Sequence, residues 1–305
     1  MNKKKVALAL ASGGPRGFAY IGAIEELLDR GYEISSVAGV SAGSLVGGIY
    51  AAGGLQAFKE WLFGLDPVKV VALMDFSVSK NYLVKGEKVI SAIKERVPDV
   101  NIEDLPIPFT AVATDLYTGE EVIFREGPLF DAIRASISIP SMFKPAQIGG
   151  RTLVDGGMVN TFPLNRVERT PGDILVGFNV NQIDAAEIQG FLDSRAALQK
   201  SAQEKNLLGR IETTLQEFRL VADAAEDHLP VNASDNMVKI LQRSFGIMNC
   251  TIARMGIALT PPDILVDLPF DTYHGVYGYS HAQEIAERGR ALMAQALDQY
   301  ESNHA

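Results

Sequence analysis

The chain opens on two alternating hydrophobic patterns. Residues 6–10 are a short unbroken apolar run, the pattern of a strand buried on both faces. After a glycine-rich turn, Phe18, Ile21, Ile24, Leu27 and Leu28 recur at helical spacing, and Gly31 stops the helix. Residues 34–38 predict a second strand. Leu45, Val46, Ile49 and Tyr50 predict a second helix, closed by Gly53-Gly54. This β-α-β-α order predicts an α/β fold whose sheet is parallel, with helices on both faces.

Residues 58–76 are strongly apolar but less regular, with Phe58, Trp61, Leu62, Phe63, Leu65, Val70, Val71, Leu73, Met74 and Phe76. They are read as a packed helix and its connection, in preference to a cap over a lipid-binding cleft, because apolar stripes are usually core. Residues 109–114 and 121–124 predict strands joined by the Tyr117-Thr118-Gly119 turn, and 129–135 a short helix. Residues 146–148 and 152–154 flank Gly149-Gly150, a hairpin signal. Residues 174–180 predict another buried strand. Residues 184–256 read helical, with a break at Leu229-Pro230. Asn232 or Ser234 would cap the last long helix, whose apolar face is Met237, Ile240, Leu241, Met248 and Ile252. A strand at 264–268 and a helix at 282–297 close the chain. A return of that strand to the sheet would make 1–305 one domain. Its core would be about 5–180, its helical insertion about 184–256 and its closing strand and helix about 263–298.

Composition narrows the partners. The 305 residues are 47% hydrophobic and 21% charged, which excludes a disordered or fibrous chain. The net charge is −9 with no basic tract, so nucleic acid is not a predicted partner and anionic lipid exerts no charge attraction. The single cysteine, Cys250, sits in an apolar periodic stretch and is read as a small core residue. Lys3-Lys4-Lys5 followed by residues 6–11 imitates a signal peptide. Gly13-Gly14-Pro15 breaks the run at once, and a buried first strand accounts for the same letters. The expected location is the cytoplasm, at most peripheral at a membrane.

Three local signals carry chemistry. Gly39-Val40-Ser41-Ala42-Gly43 is a G-x-S-x-G between a strand and a helix, the context in which this motif exposes a nucleophilic serine. Gly39 and Gly43 allow the tight turn, and the Ala42 N–H at the helix start is aimed at a developing oxyanion. Ser12-Gly13-Gly14-Pro15-Arg16-Gly17 also follows a strand. It lacks the first glycine of a dinucleotide fingerprint and the Gly-Lys-Ser/Thr ending of a nucleoside-triphosphate loop. Free N–H groups of Gly13 and Gly14 beside the Arg16 cation suit an oxyanion hole or a phosphate site, while Pro15 donates nothing. Adjacent parallel strands would put both turns at one sheet edge, a nucleophile beside donors for its tetrahedral intermediate, which is acyl-transfer chemistry. The third signal, Asp155-Gly156-Gly157, is a common turn, yet its carboxylate at a strand end reaches the same edge. Desolvation raises a carboxylate pKa enough to make a direct Ser–Asp pair plausible without histidine.

The usual alternative is a Ser-His-Asp esterase. Only one strand signal precedes the one leading into the elbow, fewer than that fold uses. The four histidines, His228, His274, His281 and His304, fall late; His228 and His304 sit in polar contexts, and His274 and His281 have no obvious orienting carboxylate nearby except Asp271. A second alternative is a noncatalytic protein whose glycine loop holds an anionic headgroup, which would need neither Ser41 nor Asp155.

Taken in order and spacing, the Gly13–Gly17 loop, the Gly39–Gly43 elbow, the Ala135-Ser136-Ile137-Ser138-Ile139-Pro140 block and the Asp155-Gly156-Gly157 turn resemble the patatin-like phospholipase family over about residues 5–180. The resemblance implies a three-layer α/β/α fold with a largely parallel central sheet and a helical insertion. It implies a Ser–Asp dyad with Ser41 as nucleophile and Asp155 as base, and an oxyanion hole from Gly13, Gly14 and Ala42. Arg16, Gly17, Gly39, Gly43, Gly156 and Gly157 support these motifs. The implied substrate is a lipid or small acyl ester, met at a membrane surface only transiently, with no metal and no other cofactor. The chain departs from the family at Ser12, in place of its usual first glycine, at Pro15, in place of a residue that keeps its N–H, and at Tyr20, where a histidine is common. An aspartate raised only moderately would keep such an enzyme working below about pH 6, where a histidine base is losing its neutral form.

Overall fold

The computed structural model describes residues 4–75, 82, 84–182, 237–270, 273 and 275–304. Its centre is an eight-stranded sheet of order β5-β6-β3-β2-β1-β7-β8, with β4 also paired to β3. The strands are β1 (Lys5–Leu10), β2 (Glu33–Val40), β3 (Phe109–Asp115), β4 (Glu121–Phe124), β5 (Ala146–Ile148), β6 (Arg151–Asp155), β7 (Ile174–Gln182) and β8 (Ile264–Pro269). β3, β2, β1, β7 and β8 run parallel to one another; at the β3 end, β4 and β6 each pair antiparallel with β3, and β5 pairs antiparallel with β6. Central strands buried on both faces read as unbroken apolar runs, which is why residues 6–10 and 174–180 announce themselves. The expected hairpin at Gly149-Gly150 is present, with both glycines at positive φ.

Helices cover both faces. They are α1 (Ala19–Asp29), α2 (Ala42–Ala51), α3 (Leu55–Phe63), α4 (Pro67–Leu73), α5 (Glu87–Lys94), α6 (Leu129–Ser136), α7 (Met237–Leu259), α8 (Gly275–Ser280) and α9 (Ala282–Asn303). β1 shows how the two layers are divided. Val6, Leu8 and Leu10 point into a large core with α1, α2 and α9, while Ala7, Ala9 and Ala11 point to the other face, packed by Phe162, Leu164 and Ala253 of α7. The late strand does return to the sheet, since β8 pairs in parallel with β7. Residues 183–236 lie outside the described residues, and with them the expected break at Leu229-Pro230 and the cap at Asn232 or Ser234.

Two sequence expectations about helix faces are corrected. Leu28 is exposed, because α1 turns it away from the core that Ile21, Ile24 and Leu27 enter. In α7, Met248 is exposed and the buried face runs through Asn249, Cys250 and Ala253, of which Ala253 packs against the thin alanine side of the sheet. The side chains of Met237, Ile240 and Leu241 lie outside the description. Cys250 is a buried core residue, as its pattern suggested.

α1 and α9 approach closely through two glycines. A methyl group on Gly22 would lie 1.9 Å from the Ala286 carbonyl oxygen, and one on Gly289 would lie 2.0 Å from the Ala19 carbonyl oxygen. Both helices would have to separate to admit a side chain. Gly22→Ala should therefore lower stability by about 1–3 kcal/mol, the usual cost of overpacking, as a fall in the urea midpoint at unchanged m-value.

Candidate active site

β1 and β2 are adjacent and parallel, with Leu10 opposite Gly39, so the glycine-rich loop and the serine elbow leave the sheet at the same edge. Ser41 sits between β2 and α2 with φ 54° and ψ −120°. A serine in this region costs about 1–3 kcal/mol and persists only where its surroundings over-determine it. Here they do. The Ser41 N–H donates to Ser136 Oγ at 2.8 Å, and the Ser136 hydroxyl donates onward to the Val112 carbonyl at 2.6 Å. The Ser41 carbonyl accepts from Ser44 Oγ at 2.7 Å and from the Leu45 N–H at 3.0 Å. A side chain on Gly39 would fall 2.3 Å from the Gly43 carbonyl, and one on Gly43 would fall 2.2 Å from that of Leu10. The two glycines of the motif are thus needed for the turn to close on itself and on β1.

Asp155 reaches the same point from another direction. β4 occupies one edge of β3, and the other edge is shared end to end. β2 pairs along it as far as Val40 opposite Val112, and β6 arrives antiparallel with Asp155 opposite Ala113. The strand ends meet head to head, which brings Asp155 beside the elbow. Its backbone is held by the Ser138 carbonyl at 2.9 Å and by Thr114 Oγ1 at 3.0 Å. The carboxyl is fully buried. Oδ1 accepts the Gly157 N–H at 2.8 Å, and Oδ2 has no hydrogen bond of full geometry. Burial pushes its pKa up to about 7, against the opposing pull of the nearby Ser41 hydroxyl and the Gly157 N–H. The rise is larger than the moderate one expected from the sequence, because desolvation of this carboxyl is complete.

The glycine-rich loop lies alongside. Gly13 is extended and Gly14 is left-handed at φ 57°, opening a 3-10 turn over Gly14–Phe18. The N–H groups of Gly13, Gly14 and Ala42 donate to no group among the described residues, as expected of a loop and a helix start with open donors. Gly17 packs directly against Ala42, where a methyl group would lie 2.4 Å from the alanine Cβ. Arg16 is buried and internal, its Nε donating to the Val180 carbonyl at 2.9 Å and its guanidinium lying over the Phe270 ring. It braces the loop from behind. Ser12 is held by its own N–H to the Thr161 carbonyl at 2.8 Å and by Asn181 Nδ2 to its carbonyl at 2.6 Å. Gly156 and Gly157 are buried beneath the Asp155 turn, with Ser12 Oγ close to Gly157. Tyr20 is also buried, its hydroxyl donating to the Ala11 carbonyl at 2.7 Å.

Of the histidines, His281 starts α9 beside Ser280 and His304 stacks on Tyr300, and neither is hydrogen-bonded to Ser41 or Asp155. His228 and His274 lie outside the described residues. Among the described residues, no group of three or more His, Cys, Asp or Glu side chains is placed to hold a metal ion, and no helix is long and apolar enough to cross a membrane.

Beside the elbow is an apolar cavity of about 250 Å³. Leu45, one helical turn from Ser41, lines it together with Phe18, Trp61, Leu65, Phe143 and Tyr279. The expectation that the apolar stretch from residue 58 is simply packed helix is corrected in part. Phe58, Leu62 and Val70 are buried as core residues are, but they and their neighbours on α3 and α4 also form the cavity wall. Phe76 lies outside the described residues. The roles of Ser136 and Tyr279 were not legible in the sequence. Ser136 falls inside the Ala135–Pro140 block, which gave a signal without a role, and Tyr279 gave none.

The sequence pattern of the patatin-like phospholipase family matches residues 8–167. An uncharacterized NTE family protein of Mycobacterium tuberculosis is 35% identical over 333 residues, spanning 97% of this chain and 92% of that protein. A patatin-like phospholipase domain-containing protein of Caenorhabditis elegans is 29% identical over 200 residues, 63% of this chain and 15% of its own. Patatin-like phospholipase domain-containing protein 6 of the mouse is 26% identical over 196 residues, 62% of this chain and 14% of its own.

Removing the Ser136 hydroxyl strands the Ser41 N–H in a dry site. Ser136→Ala should cost about 1–3 kcal/mol of stability, the usual penalty for a buried donor left unpaired. Chemical denaturation of the purified variant beside the wild type measures it.

Proposed function

The chain belongs to the patatin-like phospholipase family, a family of lipid hydrolases, and from that premise we propose that it cleaves carboxylic esters of lipids with Ser41 as nucleophile and Asp155 as its base. The observation that supports this reading best is the abutment of a strained serine and a buried carboxyl, one of whose oxygens has no full hydrogen bond, beside three open N–H donors. In this scheme Asp155 takes the proton from Ser41 Oγ as that oxygen attacks the ester carbonyl. The carbonyl oxygen becomes an oxyanion facing the Gly13, Gly14 and Ala42 N–H groups. Collapse expels the alcohol, which leaves with the proton held by Asp155, and the acyl group stays on Ser41. Water then attacks the acyl-enzyme, with Asp155 taking its proton and returning one to Ser41. The apolar cavity receives the acyl chain, since its walls offer a hydrocarbon chain contact without asking it to satisfy polar groups.

Ser41→Ala should abolish hydrolysis of p-nitrophenyl butyrate and labelling by a fluorophosphonate, with the circular dichroism spectrum unchanged. Asp155→Asn keeps the shape and removes the proton acceptor, so kcat/KM should fall by about 10²–10⁴. Wild-type turnover in either variant would end the dyad assignment.

The Asp155 pKa links activity to stability. Only the carboxylate accepts a proton, so kcat/KM should rise with pH through about 7. For folding the sign is opposite. The folded pKa lies above the ordinary value of 3.8, so the folded protein holds this proton more tightly than the unfolded chain. That contribution to stability is fully present below about pH 4 and is lost as pH rises through about 7. Asp155→Asn, which never ionises, should be more stable than wild type at pH 8, by about 2–4 kcal/mol, with the difference shrinking towards pH 4. Urea titrations at the two pH values measure it, and a constant difference would show that Asp155 is not desolvated.

A further inference from the structure

The glycine-rich loop has a gap in its row of donors. Gly13 and Gly14 offer N–H groups, and Pro15, next in line, has none. The element packed over that gap is α8. A methyl group on Gly278 would lie 2.7 Å from Pro15 Cγ, so the helix rests directly on the proline ring. The following residue, Tyr279, meets Phe18 edge to face, with ring centroids 5.9 Å apart and planes at 71°. Both rings line the apolar cavity. The Tyr279 hydroxyl lies on the loop side, where a methyl group on Gly14 would be 3.9 Å from it.

We propose that Tyr279 is a further catalytic residue, whose hydroxyl supplies the oxyanion hole with the hydrogen bond that Pro15 cannot give. This rests on the ester-hydrolase reading above. Tyr279 is half-buried, its ring packed on the core and the cavity, and its hydroxyl makes no hydrogen bond among the described residues. A substrate carbonyl entering between the cavity and Gly14 would be its partner. The position suits an ester, since the ring lies along the hydrocarbon chain while the hydroxyl meets the first polar atom of the head. The phenol also stays protonated. Burial pushes its pKa up to about 12, Arg16 acts against that shift and Asp155 adds to it, so the group remains a donor throughout the working pH range.

The test compares wild type, Tyr279→Phe and Ser41→Ala on p-nitrophenyl butyrate and p-nitrophenyl octanoate, with kcat and KM resolved. Phenylalanine keeps the ring against Phe18 and the cavity wall, so the change removes the donor alone, and thermal melts check that the fold is retained. A donor acting on the transition state predicts a kcat loss of about 10–10² with KM within about twofold, somewhat below the effect of removing a principal oxyanion donor. The same factor is expected for both esters, because the oxyanion is common to them. Wild-type kcat in Tyr279→Phe overturns the proposal. So does a loss confined to KM, or one that grows from butyrate to octanoate, since either assigns Tyr279 to the cavity wall. If wild type does not exceed Ser41→Ala on either ester, the hydrolase reading itself falls, an outcome distinct from an active wild type with an equally active Tyr279→Phe.

Discussion

Along one edge of β3, β2 ends opposite Val112 and β6 ends opposite Ala113, and the rest of the site depends on that abutment. Two strands that share an edge end to end bring their last residues together without a long loop between them. One contributes the elbow and the other contributes Asp155. The contact is close enough to exclude side chains: a methyl group on Gly156 would lie 2.3 Å from the Val112 carbonyl oxygen and 3.1 Å from a Val40 methyl. Tight backbone approach of this kind fixes relative position better than flexible side-chain contacts do. A nucleophile and base that rely on proximity need that rigidity, since small misplacements cost large factors in rate.

The same closeness creates the electrostatic tension at the site. Asp155 is placed where no water reaches, and the carboxyl is charged there only at the expense of lost hydration. Were it exposed, its pKa would fall to the ordinary range and it would be a feeble acceptor for a serine proton. Were it buried with both oxygens fully hydrogen-bonded, it would be held as a stable anion with little appetite for protons. The structure lies between these limits, with Oδ1 satisfied by the Gly157 N–H and Oδ2 without a full hydrogen bond. Under the proposed scheme, stability at neutral pH is exchanged for basicity, a trade expected at sites built for chemistry rather than for folding.

The sheet and the two turns at its edge were legible because they obey local rules. Buried parallel strands appear as short apolar runs, and an elbow needs small residues at fixed offsets around its serine. The faces of long helices were less legible. Leu28 and Met248 fit a helical apolar period but are turned outward, because neighbouring layers decide which part of a broad stripe is covered, and the small Ala253 takes the place against the alanine face. Tertiary placement was legible only as far as the sheet edge that the two turns share. Nothing in the letters says that β6 is antiparallel or that it shares β3 with β2. Nor do they say that Tyr279, more than two hundred residues beyond Gly14, returns to lie beside it. The apolar residues from Phe58 onward satisfy both the core and the cavity descriptions, since a cavity wall is a core surface whose far side is empty.

The Ala135–Pro140 block, whose part was obscure in the sequence, acquires a physical account from three neighbouring side chains and one carbonyl. Ser136 holds the Ser41 N–H and the Val112 carbonyl. The Ser138 carbonyl accepts the Asp155 N–H, so Ser41 and Asp155 hang from residues two apart on the same segment. Arg134, one turn earlier, reaches outward, donating to the Lys85 carbonyl at 2.6 Å, the Lys144 carbonyl at 2.7 Å and Ser138 Oγ at 2.7 Å. Lys85 and Lys144 follow Val84 and Phe143, which pair across an isolated bridge and line the cavity. The end of α6 is therefore tied at once to the elbow, to the aspartate turn and to the cavity wall. A shift of this helix end would move all three together. That is a reason for the site to be built on a short, buried helix terminus braced by several hydrogen bonds, and not on a surface loop.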